Sequence, residues 1–215
     1  VLMFDLEHGS KTIGSKEHIQ SLFTYPVLSP GTWGQFQAAL VSLYKEEDVT
    51  NEVKVGNLTI PETSKSIVPR NGTPVDALVV DTFSELSKKY MREISDKHGR
   101  MQLQGWGQLK NKLDGCLDYL TRIPGFVVCL CHSKVQTMDD GNKIIPYIDG
   151  STKEDVSKWF DFVFYTKTVK TKEGIREYRW ITQRDEKYDH AKDRSGLLAE
   201  EILQDFTIIK KAVET

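Results

Sequence analysis

The sequence predicts an α/β domain: a largely parallel central sheet flanked by helices, with a C-terminal β-hairpin. Three observations carry this. Three short apolar runs, Val1–Asp5, Val75–Asp81 and Gly125–Cys131, have the length and composition of buried strands. Segments with apolar residues at helical spacing lie between them. Two alternating segments, Phe160–Thr168 and Ile175–Thr182, then flank Lys172-Glu173-Gly174 in the pattern of a hairpin.

Taken in order, the strand Val1–Asp5 leads into a polar stretch with Gly9, Ser10 and Gly14. Thr32–Glu47 reads as a helix through Trp33, Phe36, Leu40, Leu43 and Tyr44, with Thr32 as its N-cap after Pro30-Gly31. Residues 48–73 are polar and interrupted by Gly56, Pro61, Pro69 and Gly72; they read as loop with one edge strand at Glu52–Ile60. After the strand Val75–Asp81, a helix runs from Thr82 to Ser95 with Phe83, Leu86, Tyr90 and Ile94 on one face. Asp96–Gly107 reads as a Gly-rich loop and Gln108–Arg122 as a helix. The third strand is followed by a polar loop, Ser133–Gly150, and a short helix, Thr152–Lys158. There is no internal repeat.

The 215 residues suit one domain with a full core, so residues 1–215 read as a single unit. Apolar residues at 39% and charged residues at 28% exclude a disordered or collagen-like chain. No apolar run reaches the roughly 18 residues of a spanning helix, and no membrane partner is expected. Asp5, Glu7 and His8 follow Val1–Phe4 at once, unlike a signal peptide. Cys116, Cys129 and Cys131 form no disulfide framework, so a reducing cytoplasm is the expected compartment. Cys129, Cys131 and His132 have no second pair at zinc-ligand spacing and read better as buried apolar cysteines beside a histidine.

A net charge of −2 excludes a chain that is basic throughout, but the charge is uneven. Residues 1–62 hold eight acids against four bases, residues 86–112 seven bases against two acids, and residues 165–194 nine bases against six acids. Two basic segments leave room for an anionic partner, against the plainer reading of solvated helix and hairpin faces.

Each strand ends in polar groups: Asp5 and Glu7, then Asp81-Thr82, then His132-Ser133. In a parallel sheet these ends converge on one edge, where ligands bind. Four apolar residues followed by Asp and a hydroxyl residue form a Walker B pattern, in which the carboxylate holds magnesium; the plain alternative makes Asp81 the cap of the next helix. Glu7, two residues after Asp5, would share its side of an extended strand and could polarise a water near a phosphate. His132 could hydrogen-bond a phosphate or that water, or be an ordinary loop histidine.

The order of these motifs resembles the RecA-type recombinases. Val1-Leu-Met-Phe-Asp-Leu-Glu-His8 resembles the second core strand, which bears their catalytic glutamate, Asp76-Ala-Leu-Val-Val-Asp81-Thr82 their Walker B strand, and Phe126–Ser133 the strand whose polar end senses the γ-phosphate. Thr182-Gln-Arg-Asp-Glu-Lys-Tyr188 and Ala191-Lys-Asp-Arg-Ser-Gly196 look like the tail of phage-encoded RecA-fold ATPases of single-strand annealing and recombination. The resemblance implies a RecA-like core that uses ATP and Mg2+. It makes Glu7 the general base, Asp81 the magnesium holder with Asp5 and Thr82 beside it, and His132 with Ser133 the sensor. Arg184 and Lys187 would reach a neighbouring subunit's ATP, with Lys192 and Arg194 next in line, in a homo-oligomer on single-stranded DNA. The loops at Ser95–Gly107 and Ser133–Gly150 would face DNA, with Trp106 either stacking on bases or packed in the core. The implied setting is the cytoplasm of a bacterial or phage-infected cell.

One family motif is missing: the 215 residues contain no G-x-x-x-x-G-K-[ST], and Gly9-Ser-Lys-Thr12 lacks its Gly-Lys step. The family places that loop, and the strand before it, just upstream of the strand that opens here at Val1, and sets that strand between those at Gly125–Cys131 and Phe160–Thr168. The chain is therefore expected to bind ATP poorly or not at all by itself, and to be truncated rather than completed by a strand from another chain. A non-catalytic RecA-fold subunit binding DNA or a protein, and a replicative helicase motor, are the competing expectations.

Overall fold

The structure, a computed structural model, describes residues 1–9, 27–70, 72, 75–139 and 141–214. Gly14 and the Ser10-Lys11-Thr12 part of the loop mimic lie outside the described residues. The chain divides into two compact units, one of Val1–His132 with Ile148–Gly150, the other of Ser133–Tyr147 with Ser151–Thr215.

The first unit is organised around three parallel strands, β1 (Leu2–Asp5), β4 (Ala77–Asp81) and β5 (Phe126–Cys129), in the order β1-β4-β5. Their register aligns Asp5 with Asp81 and Val80 with Cys129, so all three chains leave the sheet at one edge. Leu28 adds a single bridge on the far side of β1, through Asp5 N–H to its carbonyl at 2.8 Å and its own N–H to Met3 O at 2.9 Å. Among the described residues three helices accompany the sheet: α1 (Trp33–Leu43), α2 (Phe83–Ile94) and α3 (Leu103–Thr121). Their apolar faces supply Phe36, Leu40, Phe83, Leu86, Leu109, Leu113, Leu117 and Leu120 to a core shared with Phe4, Leu78 and Val80. Phe4 meets Phe36 edge-on, ring centres 4.9 Å apart. Burial of this kind supplies the main stabilising term.

Thr32 caps α1 as expected, its hydroxyl accepting from Gln35 N–H at 3.1 Å, but the helix stops at Leu43. Tyr44 instead opens a long antiparallel hairpin, β2 (Tyr44–Val55) and β3 (Leu58–Pro69), turning at Gly56, whose φ is 64°. The expected loop with one edge strand is thus a pair of twelve-residue strands. Both its faces meet solvent along most of its length, so no apolar alternation marks it in sequence. Pro61 is tolerated in mid-strand because each strand of a two-stranded ladder has an open edge. Helix α3 begins five residues before the expected Gln108, so Gly105, Trp106 and Gly107 are helical and the connecting loop is shorter. Gly105 is enclosed there, with the Met101 sulfur 3.0 Å from where a Cβ would stand.

The second unit is antiparallel. Its hairpin β6 (Ser133–Met138) and β7 (Gly141–Pro146) replaces the loop expected at Ser133–Gly150. A four-residue helix α4 (Thr152–Asp155) continues as a 3-10 turn at Val156–Trp159. Then β8 (Phe162–Val163) pairs with β11 (Lys192–Asp193), while β9 (Tyr165–Lys170), β10 (Arg176–Ile181) and β12 (Glu201–Leu203) form a sheet in the order β12-β10-β9. The hairpin expected around Lys172–Gly174 is β9–β10. Trp180 stacks on Phe164 at 5.3 Å and, with Leu198, Ile202 and Ile209, buries one face of helix α5 (Phe206–Glu214).

The described residues are therefore mixed α/β, with a small parallel sheet and four antiparallel ones. The expected largely parallel sheet is corrected to three strands, because the later segments pair with sequence neighbours through tight turns. No helix among the described residues is long and apolar enough to cross a membrane.

Candidate functional site

The edge where β1, β4 and β5 end gathers five polar side chains. Asp5 closes β1 fully buried, and its Oδ1 accepts from Glu7 N–H at 3.2 Å and Gly9 N–H at 3.0 Å. That capture ends the strand at Asp5, so Glu7 does not continue on the same side of an extended strand as expected. The chain turns, Leu6 is buried, and the Glu7 side chain remains about a third exposed, at 35%. Glu7 Oε1 then accepts two hydrogen bonds, from the Thr82 hydroxyl at 2.7 Å and from His132 Nε2 at 2.7 Å.

Thr82, not Asp81, caps α2: its hydroxyl accepts from Glu85 N–H at 3.2 Å. The peptide joining Asp81 to Thr82 is cis. The start of α2 is tied to the end of β5 by Phe83 N–H donating to Leu130 O at 2.7 Å and by His132 N–H donating to the buried Ser84 hydroxyl at 3.0 Å. Ser84 also lies 3.1 Å from the Cys131 sulfur. These bonds carry His132 to Glu7 across 125 residues of sequence. Cys131 is exposed rather than buried, because β5 has ended by then, while burial raises the Cys129 and Cys116 thiols, the latter to about 12.

The electrostatics separate the two acids. Burial pushes the Asp81 carboxyl up, and the charges of Asp5 and Glu7 push it further, against His132. Burial also works to raise Glu7, but the hydrogen bonds from Thr82 and His132, with the charges of His132 and Lys88, outweigh it and leave its carboxyl below the usual range. Glu7 is thereby held ionised and Asp81 is a carboxylate in a negative field, which a cation would relieve.

A family model described as an AAA domain matches residues 1–195. The chain belongs to that family. No curated protein and no solved structure matches it. AAA domains are ATPases, so nucleotide use, with magnesium, follows from membership. The residues fit the ion in one way. Among the described residues no three His, Cys, Asp or Glu side chains form a metal-holding group. Asp81 would therefore hold magnesium as a single carboxylate, and phosphate oxygens and water would fill the other positions.

The remaining candidates lie in the second unit. Arg184 is exposed and forms an ion pair with Asp189, and Lys187 lies over the Tyr188 ring, 5.5 Å from its centre. Lys192 donates to the carbonyls of Ser157 at 3.1 Å and Phe160 at 2.7 Å, and Arg194 pairs with Asp161 at 2.5 Å. Asp193, which sequence reasoning passed over, accepts from Ser195 N–H at 2.9 Å and Leu198 N–H at 2.9 Å and shapes the loop. Ser133 is exposed at the start of β6. Sequence reasoning also missed Ser84 and the link from Thr82 to Glu7. Thr82-Phe-Ser-Glu85 does carry the spacing of a helix cap, the one signal that could have singled out the Thr82 hydroxyl.

Proposed function

We propose that the chain is the ATPase core of a RecA-type DNA recombination or single-strand annealing protein, acting as a homo-oligomer on single-stranded DNA. The observation that carries this is the meeting of Glu7, Asp81, Thr82 and His132 at the end of three parallel strands, in a chain of the AAA-domain family. Bound MgATP would supply the electrophilic phosphoryl group and the charge neutralisation its transfer needs. Glu7, ionised at rest, takes the proton of the attacking water. Asp81 would hold the magnesium. His132, which donates to Glu7 Oε1 at 2.7 Å, takes the sensor role. Arg184 and Lys187, both exposed, stabilise phosphoryl charge from a neighbouring subunit once Arg184 exchanges Asp189 for that charge. Lys192 and Arg194 hold the neighbouring segment in place through Ser157, Phe160 and Asp161.

DNA contact is supported by the first unit's surface. Of the basic residues on α2 and α3, Lys88 and Arg92 pair with Glu85, and Lys110 with Asp114. Lys97 and Arg100 stand exposed on the loop between those helices, and Trp106, 43% exposed on the first turns of α3, offers a stacking face nearby in sequence.

The test uses the whole protein as its gene encodes it. It is expected to hydrolyse ATP with magnesium, faster with single-stranded DNA. Glu7→Gln keeps the shape but loses the base, and should lower kcat by about 100-fold or more while nucleotide binding persists. A Glu7→Gln protein that turns over like the parent would leave Glu7 a structural residue.

A further inference from the structure

Both donors to Glu7 use the same oxygen. Thr82 Oγ1 and His132 Nε2 each stand 2.7 Å from Oε1. Building on the ATPase reading above, we infer that Thr82 is a positioning residue for the general base: it anchors Glu7 by Oε1, so that Oε2 is the oxygen turned to the attacking water.

The direction of the bond follows from chemistry. The Thr82 oxygen accepts from Glu85 N–H at 3.2 Å, and an ionised carboxylate only accepts, so the single hydroxyl proton goes to Glu7. The two donors differ in mounting. His132 is half-exposed, at 51%, and its ring can turn away. Thr82 is 5% exposed, sits in the extended conformation of a helix cap at φ −119°, and is followed by Phe83 and Ser84, both fastened to the end of β5. Its hydroxyl is the fixed point of the site. Glu7, in contrast, lies beyond the end of β1 on a turn held by Asp5, with a long side chain that has many rotamers. A base must meet its water within a few tenths of an ångström, so a fixed donor on the unused oxygen removes rotational freedom before the reaction begins. One hydroxyl thus serves two ends: its lone pair caps α2, and its proton sets the carboxylate.

The test separates these two duties. In the whole protein, Thr82→Val removes the proton donor and the cap together, and Thr82→Ser keeps both. Thr82→Val should lower kcat by about tenfold or more, the usual cost of an outer partner. KM for ATP and the affinity for a fluorescent ATP analogue should stay within about twofold, since the bound nucleotide loses no contact of its own. Thr82→Ser should recover most of the turnover. Where Thr82→Val does not fold, Thr82→Gly replaces it, because glycine loses the hydroxyl yet is a far better helix cap than valine.

A second readout needs no nucleotide. Thr82→Val should lower Tm more in the parent than in a Glu7→Ala background, because the parent alone loses the hydroxyl–carboxylate bond as well as the cap. Equal losses in both backgrounds, or a Thr82→Val protein with unchanged kcat, would reduce Thr82 to a helix cap and overturn the inference. A parent protein that neither binds nor hydrolyses ATP would overturn the reading beneath it, and the Tm comparison would still report the Thr82–Glu7 bond.

Discussion

Asp81 carries its charge against the fields of Asp5 and Glu7, in a partly buried setting that raises its carboxyl. The sign of the linkage follows. A raised carboxyl in the folded state stabilises the fold below its ordinary value of 3.8, and that contribution is lost as pH rises through the raised folded value. At neutral pH the folded protein therefore keeps a charge that works against it. Asp81→Asn should unfold at a higher temperature than the parent at pH 7, by on the order of 2 °C, with the gap closing toward pH 4. Thermal unfolding across that range checks it, and a gap that widens on acidification would refute it. Of these residues, sequence alone identifies Glu7, Asp81 and His132, because a polar group that ends an apolar strand stands out from its neighbours. It cannot show that one oxygen of Glu7 binds partners 75 and 125 residues away, since such contacts exist only once the strands are side by side.

Elements are legible where a continuous apolar run or an apolar stripe marks them. The apolar runs of β1, β4 and β5 and the stripe of α2 emerge within a residue or two of their observed bounds. The hairpin β2–β3 does not, because a ladder exposed on both faces over most of its length is specified by its backbone bonds and its turn rather than by alternation; β6–β7 does not because its one buried residue, Ile145, lies near its end. The end of α1 and the start of α3 differ from the sequence pattern for a related reason: Tyr44 continues the apolar spacing of a helix that has already ended, and glycines mask one that has begun. One glycine is indispensable to the site's scaffold. Gly125, which leads into β5, has φ 94°, and a Cβ there would stand 2.8 Å from Val75 O and 2.9 Å from Asp76 O, backbone that cannot yield without moving β4. Gly125→Ala should destabilise the fold by about 2 kcal/mol. A urea midpoint equal to the parent's would show that the approach relaxes freely.

For the whole molecule, the proposed function divides one active centre between two subunits. Glu7 comes from one and Arg184 from the next, so neither Glu7→Gln nor Arg184→Ala should hydrolyse ATP alone. Mixed in equal amounts, random pairing leaves roughly a quarter of interfaces with both residues intact, and activity should return in that proportion. Co-assembled proteins that remain inactive would return Arg184 to its pair with Asp189 and end the shared-site reading. Within one chain, Glu7, Asp81, Thr82 and His132 belong to the first compact unit, and Arg184 and Lys187 to the second.

The β2–β3 hairpin has a consequence of a different kind. Of its twenty-four strand residues, only Tyr44 and Ile67 are buried, and both lie at the base. Its outer rungs are held by backbone bonds and small cross-strand pairs such as Thr50 with Thr63, at 3.0 Å. Opening those rungs exposes almost no new apolar surface, whereas separating β1 from β4 exposes Phe4, Leu78 and Val80. The same polypeptide thus spans nearly the full range of opening free energies, and its amides exchange with solvent on two clocks: a fast one through local fluctuation of the arm, and a slow one set by global unfolding of the strands that carry the carboxylates.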